Sequence, residues 1–199
     1  MEQEQKYGLT VKYIQDEDAL NPRKEFDNFG TMACFHRHYT LGDKDNCNID
    51  DLKALVGGKD YISLPLYLYD HSGLTISTSP FSCSWDSGQV GYIFVSKEDV
   101  KKEYSCKRIS PKILKKVYAL LESEVQTYDA YLTGEVYGYV IEDENGERLY
   151  SCWGYFCGTK EERQYLRQEA ERAALYESKR LVGEGARRFA IETEPTLAA

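Results

Sequence analysis

Residues 110–134 constrain the fold more than any other stretch. Ser110 and Pro111 open the segment. Ile113, Val117, Leu120, Leu121, Val125, Tyr128 and Leu132 then recur at helical spacing until Gly134. Serine caps a helix by accepting from its first free N–H groups, and proline fits the first turn. Apolar residues three and four apart line one face, and glycine stops the helix. A helix with a single apolar stripe must bury it against another layer, so the flanking segments decide the fold class.

Those flanks are rich in strand signals. Residues 7–14, 31–39, 61–69, 74–78 and 89–95 are β-rich runs bounded by turn formers. Pro65 lacks a backbone donor, which places its strand at a sheet edge or beside a bulge. The glycines of "GQVGYIF" sit in a strand context and indicate a close backbone approach or a bulge. Residues 135–142 and 147–156 flank "DENG", whose Asn145–Gly146 is a strong hairpin signal. Short helices are expected over 48–58, capped by Asn48 or Asp50 and ended by Gly57–Gly58, and after Ser96. Thr159 with Glu162 three residues on is a capping box for a charged helix running to about Val182, and 187–199 has the make-up of a loosely held tail. Short connections between strands imply antiparallel pairing. The expectation is an α+β fold, a mostly antiparallel sheet with helices packed on one face and a long C-terminal helix. Residues 1–158 form a single domain, with 159–199 a helical extension.

Charge narrows the function classes. The 199 residues carry a net charge of −8. Residues 1–60 and 133–199 each carry a net −4, and 61–132 is neutral. Such a chain is a poor nucleic-acid binder, because phosphate recognition needs a basic surface. An acidic surface does suit the basic groove of a protein that binds nucleic acid. No apolar run approaches the roughly 20 residues of a membrane span, and the start lacks the regions of a signal peptide. These features place the protein in a cytoplasm, that of a bacterial host given the resemblance below, with Cys34, Cys47, Cys83, Cys106, Cys152 and Cys157 as thiols.

The chemistry-bearing residues concentrate in 66–96, "LYLYDHSGLTISTSPFSCSWDSGQVGYIFVS". Cys34, His36 and His38 alternate and would share a face of a strand, with His71, Asp70 or Cys83 as a further metal ligand. The paired-cysteine spacing of a zinc site is absent. Cys83 or Ser72 with His71 and Asp70 or Asp86 supplies the residue types of acyl transfer, although "DHSG" is equally a turn. No glycine-rich phosphate loop opens a helix. The negative charge is a poor match to phosphates unless basic residues such as Lys107, Arg108 and Lys112 gather at a helix start. Recognition needs the fewest assumptions. Trp85, Phe81, Tyr92 and Trp153 put large aromatic groups near polar loops, and 17 tyrosines add stiff, amphipathic contact area. The candidate binding residues are Asp70, His71, Trp85 and Asp86 in the central loop, with Glu142, Asp143 and Glu144 at the hairpin tip. No cofactor or metal is called for.

Three stretches, "EFDNFGTMACFHRHYTLGD", the run from "LPLYLYDHSG" to "SCSWDSGQVGYIFVSKE", and "TYDAYLTGEVYGYVIEDENGERLYSCWGYF", resemble a family of small proteins from phages and mobile elements of Firmicutes-type and other bacteria. The resemblance covers residues 6–158 and leaves out the C-terminal helix. It implies a host-defence inhibitor of the anti-CRISPR or antirestriction type, in particular an inhibitor of a type II CRISPR nuclease. It carries over no site residue. Two alternatives stay open beside it: a small cysteine/histidine enzyme or metal protein, and a binder of a nucleotide immune signal.

Overall fold

A computed structural model describes residues 2–44 and 48–192, with side chains as far as residue 183. Among these, the order is β1 (Glu2–Lys6), β2 (Leu9–Gln15), α1 (Pro22–Glu25), β3 (Thr31–Cys34), α2 (Ile49–Val56), β4 (Tyr61–Asp70), β5 (Leu74–Ser77), β6 (Ser87–Ser96), α3 (Lys97–Glu103), α4 (Pro111–Leu132), β7 (Val136–Glu142), β8 (Arg148–Phe156) and α5 (Lys160–Glu192). The fold is α+β with antiparallel sheets, as the strand spacing implies. There are two sheets, of order β1-β2-β7-β8 and β3-β6-β4-β5. The chain divides into two compact units, Met1–Glu17 with Val136–Ala199, and Asp18–Glu135.

In the first unit, β1 and β2 form a hairpin closed by Tyr7 and Gly8, both at positive φ (55° and 82°). Two left-handed residues give the turn twist that matches paired strands. Leu9, Val11 and Tyr13 alternate on β2 and join Tyr139 and Ile141 of β7 in one core. Helix α5 covers that face through Leu166, Ala170 and Ala174, four residues apart and each buried. Small residues at the contact let helix and sheet approach closely. The capping box forms as the sequence indicates: Thr159 N donates to Glu162 Oε2 (2.8 Å), and Glu162 N to Thr159 Oγ1 (3.2 Å). The helix continues to Glu192, beyond the expected Val182, while 193–199 lie outside the described residues.

In the second unit, α4 lies on the sheet through Val117, Leu121, Val125 and Tyr128, with Met32, Ile93, Val95, Leu66 and Leu68 beneath. Ser110 accepts from Ile113 N (3.3 Å). Gly134 N donates to Tyr131 O and Glu135 N to Ala130 O, which closes the helix in a Schellman motif. Leu120, expected in the stripe, is 38% exposed; it sits beside the buried line, not on it. The short α2, capped by Asn48, packs Leu52 on Ala33 and Phe94, on the opposite face from Met32 and Ile93.

Pro65 lies on β4, an inner strand, and a bulge follows it between Leu66 and Tyr67. There Val90 is the extra residue of β6, since Leu66 pairs with Gly91 and Tyr67 with Gln89. The close approach expected at "GQVG" is at Gly91, where an added Cβ would lie 2.0 Å from Ala33 O.

The outer strand β5 is closed off by a side chain. Asp129 of α4 accepts from Ile76 N (2.7 Å), and burial raises its carboxyl above the ordinary 3.8, with the Ile76 bond pulling the other way. A carboxyl raised on folding favours the native state at low pH, and that contribution is lost as pH rises through its folded value. Asp129→Asn keeps an oxygen for Ile76 and removes the desolvated charge. Its stability relative to the parent is therefore expected to climb as pH rises from 4 to 7 in urea titrations, the two chains being closest at the acid end.

Candidate functional site

The site is built where β4, β6 and β3 end together. Strand β4 runs out at Asp70, and the turn His71–Ser72–Gly73, with Ser72 at φ 62°, returns the chain as β5. The loop 78–86 then leads into β6. Asp70 N donates to Asp86 O (2.8 Å), which ties the last loop residue to the end of β4. Ser87 Oγ donates to Cys83 O and tightens the turn before β6. The Phe81 ring packs 5.6 Å from Tyr69, which lies 6.0 Å from the His71 ring. Trp85, held between these anchors, is 94% exposed.

Asp86 organises the polar groups. Its Oδ2 lies 3.3 Å from His71 Nδ1 and accepts from Cys83 Sγ at 3.8 Å. The order of groups bears on the acyl-transfer possibility. In a nucleophilic triad the imidazole stands between nucleophile and carboxylate. Here the carboxylate stands between thiol and imidazole, so Cys83 faces the Asp86 carboxylate and not the His71 ring. The arrangement orients the ring and holds the loop.

The other wall comes from the chain past β3. The expected strand stops at Cys34, not at Tyr39, because Phe35 N donates to Val90 O (2.7 Å) at the bulge and the chain turns away. The alternation of Cys34, His36 and His38 is thereby broken. Cys34 is buried in the core, and His36 stacks on Tyr39 with centroids 4.9 Å apart. His36 Nδ1 accepts from His38 N (3.3 Å), which leaves Nε2 as the nitrogen that carries the proton. Among the described residues no three His, Cys, Asp or Glu side chains are placed to hold a metal ion. Cys47 lies outside those residues.

Between the walls is an open cleft of about 460 Å³, lined by Phe35–His38 on one side, Asp70 with Trp85 and Asp86 on the other, and Ser87–Val90 as its floor. The sheet order puts β6 in the middle, so Arg37 lies on the β3 side and the carboxylates on the β4 side. Arg37 and Asp70 are both exposed, and neither side chain has a hydrogen bond or ion pair among the described residues. The cleft thus presents an indole, a carboxylate and a guanidinium that no described side chain engages by a hydrogen bond or ion pair.

Of the residues singled out in the sequence, Asp70, His71, Trp85 and Asp86 come together here. Glu142, Asp143 and Glu144 are at the β7–β8 turn, in the other unit. Glu142 pairs with Lys12 (2.5 Å). Asp143 Oδ1 accepts from Glu147 N (2.8 Å) and Asn145 N (2.9 Å), and these bonds, Glu147's first, hold its carboxyl below the usual range. Its acid is thus engaged in shaping the turn, while Glu144 is exposed at the tip. Tyr92 packs with α2, and Trp153 lies over Gly138. Lys107, Arg108 and Lys112 are exposed and take no part in lining the cleft. Arg37, His36 and Phe35 complete the site, and only the pairing of β3 with β6 brings them to Asp70. No helix of the described residues is long and apolar enough to cross a membrane. Comparisons of the chain with family models, with curated proteins and with solved structures find no match.

Proposed function

We propose that this chain is a non-enzymatic anti-defence protein of a phage or mobile element. It binds a bacterial nucleic-acid enzyme, an RNA-guided nuclease in the first instance, and blocks nucleic-acid recognition by occupancy. One observation supports this above the others: Trp85 is 94% exposed beside two carboxylates, Asp70 and Asp86. Burial of a tryptophan in a partner's pocket is a common source of hot-spot energy, and carboxylates around it select arginine- or lysine-rich surfaces. The overall charge of −8 adds encounter rate against a basic groove.

The test uses purified type II CRISPR nuclease, with and without guide RNA, and measures both capture and cleavage. Trp85→Ala is expected to weaken capture at least about tenfold. Its unfolding free energy should stay within about 0.5 kcal/mol of the parent, because the side chain is 94% exposed. Raising salt should weaken capture through a slower on-rate. Cleavage that proceeds unimpeded at a large excess of the chain overturns the reading.

A second reading, capture of a nucleotide immune signal, is favoured by the far wall of the same cleft. Arg37, His36 and His38 there supply cationic and N–H groups that a basic protein partner would not use. In that case the protein acts by sequestering the signal.

A further inference from the structure

We infer that the cleft between Arg37 and Asp70 is a guanine nucleotide site. The inference rests on the second reading above and names its ligand. Each wall carries groups with no partner among the described residues. The Trp85 indole is almost wholly in solvent, and a base stacks on such a face whatever its identity. Identity must come from hydrogen bonds to the edge of the base. The Asp70 carboxylate has two oxygens and no bond to any described side chain. A carboxylate is an acceptor only, and it accepts best from a matched pair of donors. Guanine alone among the four bases carries adjacent donors, N1–H and the N2 amine, on its Watson–Crick edge. Adenine offers one amine beside an acceptor, which a carboxylate would repel.

The opposite wall suits the phosphate. Arg37 offers a fork of N–H groups, and His36 offers its Nε2–H, since its Nδ1 already accepts from His38 N. The two walls are two strand spacings apart, on either side of β6, or about 10 Å. The distance from the Watson–Crick edge of guanine to its 5′-phosphate is of that order. A volume of about 460 Å³ is within the ordinary range for small-molecule clefts. Opposite charge types on facing walls thus match a ligand with donors at one end and an anion at the other.

Isothermal calorimetry on the full chain tests this with GMP, IMP, AMP, guanosine and cyclic di-GMP. GMP is expected to bind at least about tenfold more tightly than AMP, with IMP between them because it lacks the N2 amine. Guanosine should bind more weakly than GMP, and Arg37→Ala should erase that difference. Asp70→Asn should reduce the preference for GMP over AMP, and Trp85→Ala should weaken all ligands alike. Cyclic di-GMP binding more tightly than GMP assigns the site to a signal, and equal binding assigns it to free nucleotide; both support a guanine site. Equal affinity for AMP and GMP overturns the guanine assignment and leaves nucleotide capture standing. Absence of heat with every nucleotide at millimolar concentration overturns both.

Discussion

Arg23→Ala is expected to remove about 3–5 kcal/mol of stability, the cost of leaving buried charges without their partner. The Arg23 side chain is almost completely enclosed, and its guanidinium makes a bond with every N–H it has. Nε and one terminal nitrogen meet Asp43, the other meets Glu124 Oε2 (2.8 Å) and Asn28 Oδ1 (3.0 Å), and Gly30 O accepts at 2.6 Å. The two carboxylates are themselves committed. Asp43 accepts from Met32 N (2.7 Å), and Glu124 accepts from Phe29 N (2.8 Å) and Gly30 N (3.2 Å). Without the arginine, two acids face each other across the start of β3, and the backbone they hold is released. Arg23→Lys should fail nearly as badly, since an ammonium cannot reach three directions in one plane. Urea unfolding followed by circular dichroism reads both variants. A loss under about 1 kcal/mol for the alanine variant would show that water replaces the guanidinium readily.

Gly91→Ala is expected to be as damaging, more than about 4 kcal/mol, through backbone contact alone. The new Cβ would lie 2.0 Å from Ala33 O and 3.0 Å from Cys34 Cα. Neither atom belongs to a side chain that can rotate away, so β3 must part from β6. The cleft should go with it, because Phe35 N takes its position from Val90 O. Gly88→Ala is the matched control. A Cβ there meets nothing within 4 Å, and the change should stay within about 0.5 kcal/mol.

The parts of this fold written locally are the parts the sequence displays. The caps at Asn48, Ser96, Ser110 and Thr159 act within three residues, and the Asn145–Gly146 turn within four. Each forms as its residue types imply. Strand β1 is invisible to such reasoning. "EQEQK" has no apolar residue, and it is a strand because it pairs with β2 and because Glu2 meets Arg167 (2.6 Å), 165 positions away. A polar edge strand also discourages pairing with other chains, so its composition follows from its place in the sheet. The Arg23 cluster is hidden for the same reason, since Glu124 is 101 residues on. The candidate site divides along this line. Asp70, His71, Trp85 and Asp86 are close in sequence and were legible as a group. The Phe35–His38 wall reaches them only through the pairing of Cys34 with Gly91.

The first compact unit is made of two separate segments, with the second unit inserted between Glu17 and Val136. On a ribosome this fixes an order of events. The inserted unit has all its residues once position 135 has emerged. The β1–β2 hairpin, made before the inserted unit, must wait for β7, whose register sets Val11 against Ile141, and then for α5 to cover the joined face. Until then Leu9, Val11 and Tyr13 have no core to enter. Synthesis of α5 is thus the step that covers an apolar surface exposed since the β1–β2 hairpin left the ribosome.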